Sequence, residues 1–486
     1  MTHFKKIAAV MMIGVASHGF ASDTSTTTFD ISPAVTAITL SSDGSTSVLY
    51  TITNNWQSPA SIPGISVTPG YDTAGQNLSI QSSTDTCDGA TLAPRATCTF
   101  RVIIPGANQP SSFTLNPRVC GFYGATCSYA QLQPVAVSVY TPLFPTRAYE
   151  QLDTSGTGYQ LVGINVANTS DIIRTSLSAF ISSNTGAVAV SNDGSTVYVA
   201  GNTVSGPVIQ VYTVSASSLT LSKTINLTST TDSFDFAMAL TPDSTKLFIA
   251  AKNTTNSNKS NIYSVKTSSG SVTTLASNVS LLVGTNSVVA SPDGTTVYIS
   301  TNYPSGSGGT GILAFSTTAT SVSSSDFMSG ISPALPSDDH PALAMDPGAN
   351  ILYVANKAAA TLYQITVSGT TGSVDYYDIP IGDATSTSNP KGMAVSADGS
   401  TVYVTRNNDN KVTSLNAANN NFNAKNSATI TSPFGAALTP DGTQLYITET
   451  TGGTNTAVVN TSAFTTAPTL VSVGQGSETT GNFMGP

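Results

Sequence analysis

Short apolar runs separated by clusters of Ser, Thr, Asn, Gly and Asp recur along almost the whole chain. This is the pattern of β-strands punctuated by turns. From Asp23 to Tyr140 the runs alternate, as in "TSVLYTIT" (Thr46–Thr53), "CTFRVII" (Cys98–Ile104) and "PVAVSVY" (Pro134–Tyr140). About seven such strands over roughly 120 residues predict a β-sandwich. "TPLFPTR" (Thr141–Arg147) then supplies two prolines, which cannot donate to a sheet ladder and favour a stiff connection. The expected organisation is a sandwich over 23–140, a linker over 141–147 and a second domain over 148–486.

Beyond the linker the pattern repeats. "AVAVSNDGSTVYVAGN" (Ala187–Asn202), "AMALTPDSTKLFIAAKN" (Ala237–Asn253), "SVVASPDGTTVYISTN" (Ser287–Asn302), "ALAMDPGANILYVANK" (Ala342–Lys357), "GMAVSADGSTVYVTRN" (Gly392–Asn407) and "GAALTPDGTQLYITET" (Gly435–Thr450) align on their turns. The aspartates Asp193, Asp243, Asp293, Asp346, Asp398 and Asp441 serve as turn anchors, spaced by 50, 50, 53, 52 and 43 residues. Such a period marks a repeat architecture. Each turn joins a strand of small residues to one carrying a large aromatic: Tyr198, Phe248, Tyr298, Tyr353, Tyr403 or Tyr446. Two weaker strands follow, for example Lys411–Ala417 and Asn426–Ser432. Small residues inside and rings outside make a wedge, and four-stranded wedges closing a circle make a β-propeller. Six units are plain, and the ends imply a seventh: Tyr159–Ser178 reads as second and third strands, and "SETTGNFMGP" (Ser477–Pro486) as the missing innermost strand. Closure by both termini removes open sheet edges.

Lys5 and Lys6, an apolar run over Ile7–Ala16 and small residues ending at Ala21 read as a signal peptide, 1–21. The run is too short to span a bilayer and no later segment is long enough, so an exported chain without a transmembrane segment is expected: periplasmic, secreted or at the cell surface. Four cysteines, Cys87, Cys98, Cys120 and Cys127, suit two disulfides in such a compartment. Three pairings are possible, and sequence neighbours, Cys87 with Cys98 and Cys120 with Cys127, close loops short enough to lie between adjacent strands. Only 9% of residues are charged and the net charge is −9, more negative still without the two leader lysines. That argues against nucleic acid as a partner. No metal or other cofactor is expected, and the chain is expected to be a monomer.

The units "STVYVAGN", "TTVYISTN", "NILYVANK" and "STVYVTRN" resemble the YVTN repeats of bacterial and archaeal propellers, and "VSVGQGSETTGNFMG" is similar to the closing repeat of that family. The resemblance covers about two-thirds of the chain. It implies a seven-bladed propeller, often exported, and no single activity. "YTITNNWQSPA" with "CDGATLAPRATCTFRVIIPG" resembles immunoglobulin-like domains of bacterial surface proteins, which implies a disulfide-pinned hairpin and a spacer or adhesive role.

In a propeller of this strand order the aspartate turns share one face, and loops entering the first strand and leaving the second share the other. Scarce charges gather on this upper rim, where the binding candidates are Asp235, Asp339, His340, Lys391, Arg406, Asp409 and Glu449. Two long upper loops, Ala251–Asn261 and Thr301–Gly311, add to that face. "PSDDHP" (Pro336–Pro341) sets two carboxylates beside the single histidine of the mature chain, the residue types of a general acid and base. The plainer reading is a capped turn leading into a strand. "RNNDNK" (Arg406–Lys411) lacks the spaced acids of a calcium loop and reads as an Asn-rich hairpin. No catalytic residue is assigned. The leading reading is a non-enzymatic binding protein whose upper face takes a protein or a glycan. A lactonase-like propeller hydrolase and a structural envelope or surface-layer component are the alternatives.

Overall fold

The computed structural model describes the chain from Phe29 to Thr479 apart from internal stretches, the longest being 67–77, 303–310, 332–341 and 382–388. Residues 1–21, read above as a signal peptide, lie outside these residues. The chain is all-β, with helix confined to 3-10 turns such as Ser324–Asp326, Asn407–Asp409 and Thr461–Ala463 among the described residues.

Of four sheets in the N-terminal part among the described residues, two enclose its core. One orders Phe29–Pro33, Ser45–Asn54, Thr97–Pro105 and Ser79–Ile80, and the other Ala37–Ser41, Val135–Tyr140 and Ser112–Leu115. Alternate residues of each strand point inward. They bury Val48, Tyr50, Ile52, Phe100, Val102 and Val137 in one core, with the Tyr50 and Phe100 rings stacked at 5.3 Å. Cys87 and Cys98 are joined by a disulfide. Asn54 is fully buried and donates through Nδ2 to the carbonyls of Leu92 (2.9 Å) and Ala93 (3.2 Å), which clamps the disulfide-bearing hairpin to the strand it faces. Cys120 stands opposite Cys127 in antiparallel register, while their side chains lie outside the described residues.

Seven further sheets follow in chain order, six of them four-stranded and the fourth three-stranded among the described residues. In that fourth sheet a capped 3-10 turn at Ser324–Asp326 and a bridge from Phe327 to Leu313 stand where an outer strand would be. The sheets form a closed ring, because each packs on the next through one aromatic of its second strand. Tyr149 joins the core between the first and second sheets, Tyr198 that between the second and third, and Phe248 the next. Tyr298, Tyr353 and Tyr403 continue the series. Tyr446 of the last sheet then packs on Ala148, Leu152, Val162 and Ile164 of the first. Rings of this size bury roughly 150–250 Å² each, so the inter-sheet wedges are the main hydrophobic mass. The inner strands, rich in Ala, Val and Met, surround a cavity of about 400 Å³ lined by Met238, Val289, Ala344, Met393 and Ala437 among others.

The first sheet departs from expectation. Its order is Ile172–Ser176, Tyr159–Asn165, Arg147–Asp153 and then Glu478–Thr479, the latter pairing Leu152 with Thr479. Tyr159–Ser178 therefore supplies the third and fourth strands, not the second and third. The second strand is "RAYEQLD", whose Tyr149 occupies the place of the repeat tyrosines. Arg147, expected in the linker, opens that strand. It is buried, and donates to Asp171 Oδ2 (2.8 Å) and to the carbonyls of Asp171 (3.0 Å) and Ala216 (3.0 Å). A linker arginine would be solvated; this one fastens the first sheet.

A second correction concerns the turns. In five of them a Ser or Thr hydroxyl donates to the aspartate two residues on, for example Ser291 Oγ to Asp293 Oδ1 (2.6 Å), while the same oxygen accepts from Thr295 N (3.0 Å). The next residue has positive φ, as at Gly294 (70°) or Ser244 (56°), which is where glycine is favoured. In four turns these bonds outweigh partial burial and hold Asp193, Asp243, Asp398 and Asp441 below the usual carboxylate range. Asp346 is not the equivalent of these aspartates. Its N–H donates to Ile351 O as Ser291 N–H does to Thr296 O, so it occupies the serine position.

Its carboxylate is thereby released to another partner, the sandwich. Arg101 grips Asp346 with two bonds, Nη1 to Oδ1 at 3.1 Å and Nη2 to Oδ2 at 2.6 Å, and both side chains are almost fully buried. Around this pair Leu49 N donates to Gly348 O (3.0 Å), Ser45 N to Pro440 O (3.1 Å) and Ser47 Oγ to Ala397 O (2.9 Å). A Cβ at Gly348 would lie 1.8 Å from Ser47 O, so the approach of the two backbones requires glycine there. The sandwich is thus seated on the turns of the fifth, sixth and seventh sheets, and the prolines do not hold it at a distance.

Candidate functional site

With the sandwich against the turn ends, the opposite ends of the sixth and seventh sheets bring up Arg406 and Glu449. Pro390 pairs with Arg406, and Pro433 with Glu449, so the first strands of the sixth and seventh sheets begin where their second strands end. Thr405 ties the two sheets: its hydroxyl donates to Phe434 O (2.7 Å) and accepts from Gly392 N (2.7 Å). Asn407 Nδ2 adds a bond to Pro433 O (3.2 Å). Lys391, half-buried, lies with Nζ 5.7 Å from the centre of the Phe434 ring, a cation–π distance.

The structure therefore places Lys391 and the Arg406–Asp409 pair at one end of the sixth sheet and Glu449 at the same end of the seventh. Arg406 is not an exposed rim cation as expected. It is buried and bound to Asp409 Oδ2 through Nε (2.9 Å) and Nη2 (2.6 Å), with Nη1 on Thr413 Oγ1 (3.2 Å). The local cause is the 3-10 turn Asn407–Asp409, closed by Asn410 at φ 53°, which folds Asp409 back onto the strand end. Asp235 lies apart on the third sheet, in register with Lys252. Asp339 and His340 lie outside the described residues, as do residues 255–259 and 303–310 of the two long loops.

A carboxyl that sequence reasoning missed stands behind this group. Glu150, in the middle of the "RAYEQLD" strand, is fully buried. Its Oε1 accepts from Thr456 Oγ1 (2.9 Å), and its Oε2 has no hydrogen-bond partner among the described residues. Burial pushes its pKa up to about 7, against the opposing pull of Thr456 and Arg174, and Glu449 pushes it further. Glu449 exposes only 7% of its surface, and burial raises its proton affinity too. Two carboxyls with raised proton affinity in electrostatic reach of one another are a recognised mark of a chemical site. The signal in the sequence was an acid flanked by a repeat-type tyrosine, obscured because the strand follows a proline-rich segment.

Among solved structures the chain is similar to the periplasmic gluconolactonase of Pseudomonas aeruginosa, with a TM-score of 0.53 and 15% identity over 70% of this chain and 99% of that one. Proteins of Bacteroides fragilis and Bacteroides uniformis, each proposed to be a 6-phosphogluconolactonase, match with TM-scores of 0.50 at 13% and 14% identity, again over 70% of this chain. These neighbours share the β-propeller-type fold. No protein-family profile and no curated protein matches the chain. No helix among the described residues is long and apolar enough to cross a membrane.

Proposed function

We propose that the chain is a lactone hydrolase of the gluconolactonase kind, built as a seven-bladed YVTN-type propeller with an immunoglobulin-like sandwich on its turn face. The observation that carries this reading is that Lys391 and the buried Glu449 stand at the same end of the neighbouring sixth and seventh sheets, on a fold shared with three lactonase-type structures. Glu449, made more basic by burial, takes a proton from water as the oxygen attacks the lactone carbonyl. Lys391 offsets the charge that develops on the carbonyl oxygen. The acyl C–O bond then breaks, the ring oxygen takes up a proton, and a hydroxy acid leaves. The disulfide between Cys87 and Cys98 supports an exported, oxidising location for this chemistry.

One observation favours a second reading, non-enzymatic recognition of a protein or glycan on the same rim: the Arg406 charge is already answered by Asp409, so the group holds less free cation than its composition suggests. The two separate in a pH-stat assay on glucono-1,5-lactone and other sugar lactones. Hydrolysis above the spontaneous rate, reduced at least tenfold by Lys391→Ala, is the expected result. A protein that leaves every lactone at its spontaneous rate is a binder and not a hydrolase.

A further inference from the structure

A second cavity lies away from the rim. It is a cleft of about 860 Å³ between the sandwich and the outer half of the fifth sheet, open to solvent along one side. This is the size of a ligand site, and domain boundaries are favoured places for one. The rim chemistry makes no use of it.

We propose that this cleft binds an uncharged oligosaccharide. Its chemistry is that of hydroxyls and amides: Thr51 and Thr99 from the sandwich face Thr366, Gln364 and Asn350 from the fifth sheet. Such groups offer both donors and acceptors, which matches a polyhydroxylated ligand. The floor carries an aromatic ring suited to the apolar face of a sugar. Tyr376 is 38% exposed, unusual among the large side chains of this chain, and its ring is braced at 5.6 Å by Phe422, which in turn meets Tyr353 at 6.4 Å. A local irregularity delivers the neighbouring carboxylate. Gln364 pairs with Tyr376 but Ile365 with Val374, so Asp375 is an extra residue, and such bulges re-aim side chains. Asp375 lines the cleft and its Oδ2 accepts from Thr366 Oγ1 at 2.6 Å, so the carboxylate adds an acceptor for sugar hydroxyls.

Charge selects against anions. Among the described lining residues the one cation is Arg101, and its guanidinium is committed to Asp346. A uronate, sialylated or phosphorylated chain would meet Asp375 with no free counter-charge, whereas a neutral chain would not.

The test is a glycan array carrying neutral and anionic oligosaccharides, probed with the full chain and followed by calorimetric titration of the best binder. Neutral glycans are expected to bind, with affinity reduced at least tenfold by Tyr376→Ala, nearly kept by Tyr376→Phe, and weakened by Asp375→Asn. Thermal unfolding of each variant checks that the half-exposed position has not disturbed the fold. Lactone hydrolysis should be unaffected by Tyr376→Ala, so the cleft and the rim succeed or fail separately. Absence of any neutral binder, preference for anionic glycans, or full affinity in Tyr376→Ala would each overturn the assignment.

Discussion

Two arginine–aspartate pairs occupy opposite faces of the ring, and they do different work. Arg101–Asp346 joins residues 245 apart in sequence, has side chains 4% and 0% exposed, and sits between two domains. Arg406–Asp409 joins residues three apart, with the aspartate side chain 18% exposed, at the edge of the rim. The first is reached only after both domains have folded, so it fixes their relative placement. The second forms within one turn and holds that turn against the end of its own strand. The turn face therefore carries the clamp between the domains, and the rim pair serves only its own loop.

This contrast breaks most readily at Asp346. Asp346→Ala strands a buried guanidinium, a change that typically costs about 3–5 kcal/mol, and urea unfolding should register it. Replacing both partners by apolar residues of similar size should restore most of the loss. Next comes the acid at the closing seam. Because burial raises the folded pKa of Glu150 from 4.5 to about 7, its contribution is fully favourable below pH 4.5. It weakens as pH rises toward 7, since ionising the folded form is the costly step. The expected fall is about 3 kcal/mol between pH 5 and pH 8, and Glu150→Gln should flatten the profile; an unchanged slope would mean the seam is hydrated. Cys87→Ser opens a disulfide with a sequence separation of 11 and should lower stability by roughly 2–3 kcal/mol. Domain docking should survive, because none of the interface bonds involves that hairpin. The smallest effect belongs to a single ring turn. Asp293→Ala removes the acceptor for Ser291 and Thr295, worth about 1 kcal/mol. Equal losses at Asp293 and Asp346 would erase the distinction between turn former and domain clamp.

Repetition made the ring legible. A strand that recurs with its aromatic in the same place identifies itself, and Tyr198 through Tyr446 pack as their spacing implies. The parts that deviate from the repeat were misread for the same reason. "RAYEQLD" has polar residues at two inner positions, so the tyrosine that completes the series was hidden. "MDPGAN" places aspartate where serine belongs, and counting aspartates aligned it wrongly; hydrogen bonding shows the shift. The pairing of the rim charges left no trace, since Arg406 and Asp409 meet only because Asn407–Asp409 curls back. Long-range partners such as Arg101 leave no periodic trace at all.

The division of labour between the faces is tested most directly by lactone turnover in two variants, Glu449→Gln and Asp346→Ala, each assayed below its own unfolding temperature. Glu449→Gln is expected to keep the wild-type Tm and lose at least tenfold in kcat, while Asp346→Ala is expected to lower Tm and keep kcat. Retained turnover in Glu449→Gln, or equal loss of turnover in both, would contradict that division.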